Sequence, residues 1–383
     1  MKKILWLPSW YPSKLDRFTG DFVQRHAQAL ALYRPLVVLY LVKDVEGMVT
    51  KNVTIEIADI NGVREMIVYY KPRATGWEWV DKILSVTKYI SVYTSQLKKL
   101  FSSEHAAGYL HVHVPMKAGV LALWCKRRYK VPFIVTEHWA AYNQLNPDNF
   151  FAKGWLFRWL SKKIFESASV VTTVCEANRK ELLSLFNIRQ SAVINNVANG
   201  QLFHYQPRTG STGFGFVHVS TLHKQKNIKG LLNAMQLLKN MRTDWHCTIV
   251  GPYKAFMQDM ATELGLQHHI SWTGEIPYDQ VANVVKGADC MVMFSKYENS
   301  PCSIIEALMA GIPVVSTNVG GIPELINKSN GLLVPSGDEA ALAHAMNALI
   351  DSKGRYNNAA IANAAKARFS YSVIGARLAE LYR

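Results

Sequence analysis

The chain has 383 residues, 49% hydrophobic and 19% charged, with a formal net charge of +15. That length allows two or three domains, and that balance excludes a disordered polyelectrolyte. Five cysteines (Cys125, Cys175, Cys247, Cys290, Cys302) are scattered with no C-x-x-C pair, which argues against a disulfide framework or a structural zinc site and fits a reducing compartment.

The opening MKKILWLPSWYP starts like a signal peptide, but its apolar run breaks at Pro8. The nearest approach to a membrane span, around residues 30–42, contains Arg34 and Pro35. Neither an export signal nor a span is expected. The charge is lopsided: residues 1–199 carry 27 Lys/Arg against 15 Asp/Glu, and residues 200–383 carry 16 against 13. Something anionic should approach the first half: a phospholipid surface, a lipid-diphosphate acceptor, an acidic glycan or nucleic acid.

In chain order, apolar runs at 4–8, 36–42, 109–114, 133–136, 170–174 and 192–194 read as strands. Between them, 22–32, 79–101, 117–128, 155–166 and 177–185 have helical spacing. The pair Asn61-Gly62 between 53–60 and 65–70 signals a hairpin turn, which interrupts the β-α-β-α order. A polar linker with Pro207, Gly210 and Gly213 is expected at 199–213. The alternation then resumes. Strands are expected at 215–219, 246–250, 270–272, 290–294, 314–316 and 332–334, and helices at 228–239, 255–264, 278–286, 304–309, 339–349 and 358–367. Apolar strands between amphipathic helices indicate parallel sheets covered on both faces. The expected fold class is α/β, two doubly wound, Rossmann-like domains facing across a cleft, with ligands at the carboxyl ends of the strands.

The most informative segment is FSKYENSPCSIIEALMAG at 294–311. Ser300 suits an N-cap and Pro301 a first helical position. The backbone N–H groups of Cys302, Ser303 and Ile304 would then be free at a helix N-terminus, a ready site for a diphosphate. Glu298 and Glu306 bracket it. A carboxylate accepts hydrogen bonds from sugar hydroxyls, so one could hold a transferred sugar and the other a ribose. A capped helix carrying two solvated carboxylates is the structural alternative.

The stretch EALMAGIPVVSTNVGGIPELI resembles the family 4 retaining glycosyltransferases of the GT-B fold. The residues that carry the likeness are Glu298, Glu306, Ala307, Gly311, Pro313, Val314, Val315, Gly320, Gly321 and Glu324. FVHVSTLHKQKNIKGLLNAM resembles the family's first donor-domain strand and loop, with Lys226 in place of the diphosphate-binding lysine. A cation there would stabilise the departing diphosphate; a surface lysine among Lys224, Lys226 and Lys229 is the alternative. Thr221 stands where many members have an arginine. WYPSKLDRFTGDFVQRHAQAL resembles the family's first glycine-containing loop and helix. Gly20 there would let backbone approach the donor or acceptor. PFIVTEHWAAY matches a further element, and places His138, with Glu137 beside it, where the family often has a histidine at the reaction centre. The family commonly has Pro-Asn-Gly at the hinge; here it reads Asn195-Asn196-Val197.

The resemblance implies an acceptor-side domain at 1–199, a nucleotide-sugar donor domain at 200–367, and a last helix at about 368–383 that can pack back on the first. It implies a glycosyltransferase that moves a sugar, with retention, from a nucleoside-diphosphate sugar to a glycan or lipid-linked acceptor, in cell-surface polysaccharide biosynthesis. The implied catalytic residues are His138 and Glu298. The implied donor-binding residues are Gly20, Lys226, Ser300, Pro301, Cys302, Ser303, Ile304 and Glu306. No carboxylate nucleophile is evident, so front-face attack is the expected route, with the leaving diphosphate helping to deprotonate the acceptor. Neither a metal nor a cofactor is expected: the chain has no Asp-x-Asp, no P-loop and no G-x-G-x-x-G after its first strand.

Two basic aromatic helices, KGWLFRWLSKKIF at 153–165 and the stretch 77–101, have the composition of segments that lie on anionic membranes. Packing of their apolar faces on the sheet is the alternative. The expected location is the cytoplasm, with a peripheral seat on the inner membrane face kept open. Two other functions stay in view: a nucleotide-sugar epimerase of the same fold, and a non-catalytic protein that binds sugar or nucleic acid. No recognised nucleic-acid module occurs, and no nucleic-acid partner is expected.

Overall fold

A computed structural model describes residues 3–72, 75–102, 107–207 and 213–382. Part of the expected linker, including Gly210, lies outside the described residues. The first sheet has eight strands: β1 (Lys3–Pro8), β2 (Leu36–Lys43), β3 (Val53–Ile60), β4 (Val63–Tyr70), β5 (Ala107–His113), β6 (Phe133–Glu137), β7 (Val170–Thr173) and β8 (Ser191–Val193). Their spatial order is β3-β4-β2-β1-β5-β6-β7-β8. Only β3 runs antiparallel. Its turn with β4 is built on Asn61 and Gly62, both at positive φ, as a tight hairpin requires. The hairpin does interrupt the β-α-β-α order, and it extends the sheet edge, because β4 pairs parallel with β2.

The second sheet is wholly parallel: β9 (Phe214–Val219), β10 (Trp245–Val250), β11 (Ile270–Gly274), β12 (Cys290–Met293), β13 (Val314–Thr317) and β14 (Gly331–Val334), in the order β11-β10-β9-β12-β13-β14. Apart from the exposed edge strand β3, the sheets are covered on both faces, which is why most of their strands read as continuous apolar runs. Along β1, Leu5 and Leu7 enter one core while Ile4 and Trp6 enter another on the opposite face. Phe216 and Val217 divide the same way in β9.

Strand order reverses beside β1 in the first sheet and beside β9 in the second. These are the switch points at which doubly wound folds leave a crevice. The last helical stretch is broken: α11 (Asn358–Phe369) ends at Ser370, whose extended backbone starts α12 (Tyr371–Ala379). α12 packs against α1 (Asp21–Ala31) of the first half, where Gly375 leaves no room for a Cβ beside the Ala29 carbonyl.

Candidate active site

The loops after β1, β6, β9 and β12 converge on a cavity of about 420 Å³ between the two domains. Trp10, His138, Trp139 and Asn196 come from the first half; Thr221, Lys226, Glu298, Ser300 and Cys302 come from the second. A cavity of about 460 Å³ lies elsewhere, between α11 and residues 325–330. It holds none of the residues that the sequence singles out.

Within the cleft, Lys226 Nζ pairs with Glu298 Oε1 at 2.5 Å, and both side chains are largely buried. Lys226 ends a short 3-10 turn after β9. Glu298 is held by its backbone: a Cβ on Gly320 would lie 1.7 Å from the Glu298 carbonyl oxygen, and one on Gly321 would lie 2.3 Å from that of Asn299. The Gly-Gly pair therefore lets the loop after β13 press against the loop that carries Glu298. Lys224 is exposed and does not line the cleft, and Thr221 does.

The helix at the cleft, α9, runs Cys302–Met309. Ser300 is not its N-cap and Pro301 is not its first turn. Pro301 is itself the cap, with ψ at 124°, and no side chain caps the helix. Proline lacks an N–H, and its carbonyl begins the helical ladder by accepting from Ile305. The helix-start amides at Cys302, Ser303 and Ile304 therefore have no side-chain cap, and the Ser300 hydroxyl is buried without a partner. Only Ser300 and Cys302 of this group line the cavity.

Glu306 does not line it. Its carboxylate is buried, accepts the Tyr278 hydroxyl at 2.7 Å and lies 3.6 Å from the Arg25 guanidinium of α1. Burial pushes the Glu306 carboxyl upward, while Arg25 and Tyr278 pull it down. Gly20, with φ at +77°, starts α1, and a Cβ there would lie 2.3 Å from the Trp10 backbone. Its close approach is to the loop after β1.

His138 lines the cleft just beyond β6, with Nε2 3.0 Å from His113 Nδ1 and its own Nδ1 without a partner. Burial holds both rings well below the usual imidazole range. The buried Glu137 accepts the backbone N–H groups of His138 and Trp139 at 2.9 and 2.8 Å, fixing the turn that presents them. Burial raises its carboxyl to about 7.

The domains meet around this cavity. Asn299 donates to the His138 carbonyl at 3.0 Å and Asn196 to that of Ser300 at 2.7 Å. Glu324 accepts the backbone N–H groups of Glu176 and Ala177, both at 2.8 Å, at the start of α5 (Glu176–Leu185). The sequence reading did not single out Trp10, Trp139, Arg25 or His113. Trp10 and Trp139 each sit two residues past a strand end, and strand ends at a switch point are the available signal. Arg25 and His113 gave none: Arg25 pairs locally with Asp21, as many surface arginines do, and its tie to Glu306, like that of His113 to His138, joins separate elements. Among the described residues, no group of three or more His, Cys, Asp or Glu side chains is arranged to hold a metal ion.

Two doubly wound domains facing across such a cleft, with an uncapped helix start on one side, define the GT-B architecture. A glycosyl transferase 4-like domain model matches residues 62–196, and the model for glycosyl transferases group 1 matches residues 205–367. The chain belongs to this GT4-type family of glycosyltransferases. TuaC of Bacillus subtilis strain 168, named for teichuronic acid biosynthesis, is 25% identical over 90% of this chain and 88% of its own length. O-antigen chain mannosyltransferase B of Escherichia coli is 26% identical over 52% of this chain; the match spans 57% of the mannosyltransferase. Among solved structures, sucrose-phosphate synthase of Thermosynechococcus elongatus superposes with a TM-score of 0.79 at 17% identity, covering 100% of this chain and 98% of its own. Anabaena Alr3699/HepE, in complex with UDP and glucose, superposes with a TM-score of 0.74 at 17% identity, covering 100% and 99%.

Proposed function

We propose that the protein transfers a glycosyl group, with retention, from a nucleoside-diphosphate sugar to a glycan or lipid-linked acceptor in polysaccharide biosynthesis. The observation that carries this reading is the Lys226–Glu298 pair beside the uncapped start of α9, inside the interdomain cleft. The pyrophosphate would rest on the amides of Cys302, Ser303 and Ile304, with Lys226 as its cation. Glu298 would hold hydroxyls of the sugar, and Glu306 the ribose once it exchanges its present partners. The C1–diphosphate bond breaks and the acceptor oxygen bonds to C1 on the same face. The acceptor proton passes to a phosphate oxygen of the leaving group. Charge on that group is carried by Lys226 and the amides, with no divalent metal.

The names of TuaC and the O-antigen mannosyltransferase support a cell-surface glycan as product, and the UDP and glucose of the HepE complex support a nucleotide-sugar donor. Incubation with UDP-, GDP- and ADP-sugars tests the reading. Release of nucleoside diphosphate only with acceptor supports transfer, whereas isomerised donor without acceptor supports an epimerase.

The same reading places the first half on an anionic membrane at the cytoplasmic face. Trp77, Trp79, Ile83 and Val86 of the α2 (Glu78–Ser102) region, and Trp155 and Trp159 of α4 (Trp155–Ser167), are more than half or half exposed. Exposed aromatic side chains on the more basic half suit an anionic interface. No helix among the described residues is long and apolar enough to cross a membrane. Salt-sensitive flotation with anionic vesicles is the expected result; no binding at low salt would remove this part.

A further inference from the structure

His113 does not line the cleft, yet its ring is tied to His138, which does. The period of two along a strand puts His111 and His113 of β5 on one face. Trp6 of β1 packs on both rings, with centroids at 5.1 and 4.0 Å. The proton positions along this cluster follow from one group that can only donate. The Trp6 indole donates to the Tyr382 hydroxyl at 2.9 Å. The phenol proton is then available to His111 Nδ1, 2.5 Å away. His111 therefore carries its proton on Nε2 and donates to Thr136 Oγ1 at 2.6 Å, which donates on to Thr172 Oγ1 at 2.6 Å. This chain of donors ends without reaching His113, whose Nε2 is buried with no partner.

His113 and His138 thus share one hydrogen bond, Nδ1 to Nε2 at 3.0 Å, between two neutral rings. If His138 donated, the proton of His113 would sit on Nε2, an N–H sealed in the core with no acceptor. If His113 donates, its sealed Nε2 is only an unused lone pair, and the unpaired N–H falls on His138 Nδ1 instead. Orphaned buried N–H groups are the rarer and costlier defect. Both nitrogens are covered in this structure, so either choice leaves one buried N–H unpaired; but His138 is half-buried in the cleft wall, where a ligand can reach its ring by displacing that cover, whereas His113 is fully buried and cannot be reached.

We propose that His113 is a positioning residue that fixes His138 in its Nδ1–H tautomer, so that a saccharide seated in the cleft finds a donor for one of its hydroxyl oxygens once its binding uncovers that nitrogen. This rests on the transferase reading for its use, but the tautomer can be read without any turnover.

Two-bond proton–nitrogen NMR on protein labelled with [15N]histidine reads it directly, with the His138 signal assigned by its loss in His138→Gln. The expected spectrum has the proton of His138 on Nδ1 and that of His113 on Nδ1. A proton on His138 Nε2 overturns the proposal, whatever the enzyme's activity. In kinetics, His113→Asn keeps an N–H near the Nδ1 position and should hold kcat within about threefold, while His113→Leu should lower kcat about tenfold to a hundredfold with KM little changed, the effect of one lost hydrogen bond at the reaction centre. Equal loss in both variants at unchanged melting temperature would overturn it. If His113→Leu fails to fold, the wild-type spectrum still decides.

Discussion

Lys226 and Glu298 form an ion pair of 2.5 Å across the floor of the interdomain cleft, and each is the other's only charged partner of opposite sign at that distance among the described residues. Both are drawn from loops at carboxyl ends of strands, 72 residues apart in sequence. A buried pair of this kind adds little net stability, since desolvation offsets the attraction. Its placement beside the start of α9 gives it a different use. On the proposed reading, a diphosphate that takes Lys226 would release Glu298 to accept from sugar hydroxyls.

Lys226→Ala should therefore cut kcat about 10²–10³-fold, the size of loss seen when one preorganised stabiliser of developing charge is removed. It should also destabilise the fold by roughly 3–5 kcal/mol, because Glu298 is left buried and unpaired. Adding Glu298→Gln should restore the melting temperature without restoring turnover. Unchanged kcat in Lys226→Ala would contradict the role given to the lysine.

Glu306 is now engaged by Tyr278 and Arg25, and does not face the cavity. To hold a ribose it must exchange those partners. Glu306→Ala should weaken nucleotide binding about tenfold to a hundredfold, as expected for a lost hydrogen bond to a charged group. Calorimetric titration measures this. Equal affinity in the variant would assign Glu306 to the domain interface alone.

Gly320→Ala places a methyl where the Glu298 carbonyl already lies. The loop must move, and Glu298 moves with it. Activity should fall at least tenfold, since small misplacements at a reacting centre are costly. The far-UV spectrum should stay native. Wild-type turnover would show that the Gly-Gly pair does not position the carboxylate.

The pH dependence of stability carries the mark of Glu137. Its carboxyl is raised from 4.5 to about 7 by burial, against the backbone N–H bonds from Trp139 and His138. Its stabilising contribution is full below pH 4.5 and is lost as pH rises through 7, up to about 3 kcal/mol in all. His26, pushed down to about 4, and His111, pushed down to about 3, act with the opposite sign. Their contribution is full above pH 6.5 and is lost as pH falls. Between pH 4.5 and 6.5 the two effects oppose; near pH 7, Glu137 acts without them. Urea unfolding of Glu137→Gln should show a flatter profile around pH 7 than wild type, and identical profiles would contradict the assignment.

The sheets were legible because most of their strands, the exposed edge strand β3 apart, are buried on both faces, so short apolar runs stand out between helices of the 3.6 period. The β3–β4 hairpin was legible from Asn61-Gly62, although not its place: pairing β4 beside β2 is a tertiary choice that no local pattern encodes. The α9 segment was legible as a helix start, but the cap was misread. Serine before proline looks like a cap followed by a first turn, whereas the chain puts the half-helical residue at Pro301 itself. The tie between Arg25 and Glu306, and the reach of Tyr382 to His111, were invisible for one reason. Each joins residues separated by more than 270 positions: the first spans the two domains, and the second depends on the last helical segment packing back on the first domain.

The central claim is that the start of α9 holds a pyrophosphate. A crystal structure of the protein with UDP, GDP or ADP, whichever raises the melting temperature most, tests it most directly. The expected result has phosphate oxygens within hydrogen-bond distance of the amides at Cys302, Ser303 and Ile304, with Lys226 turned from Glu298 to the nucleotide. A nucleotide bound away from this turn, with the Lys226–Glu298 pair intact, would contradict it.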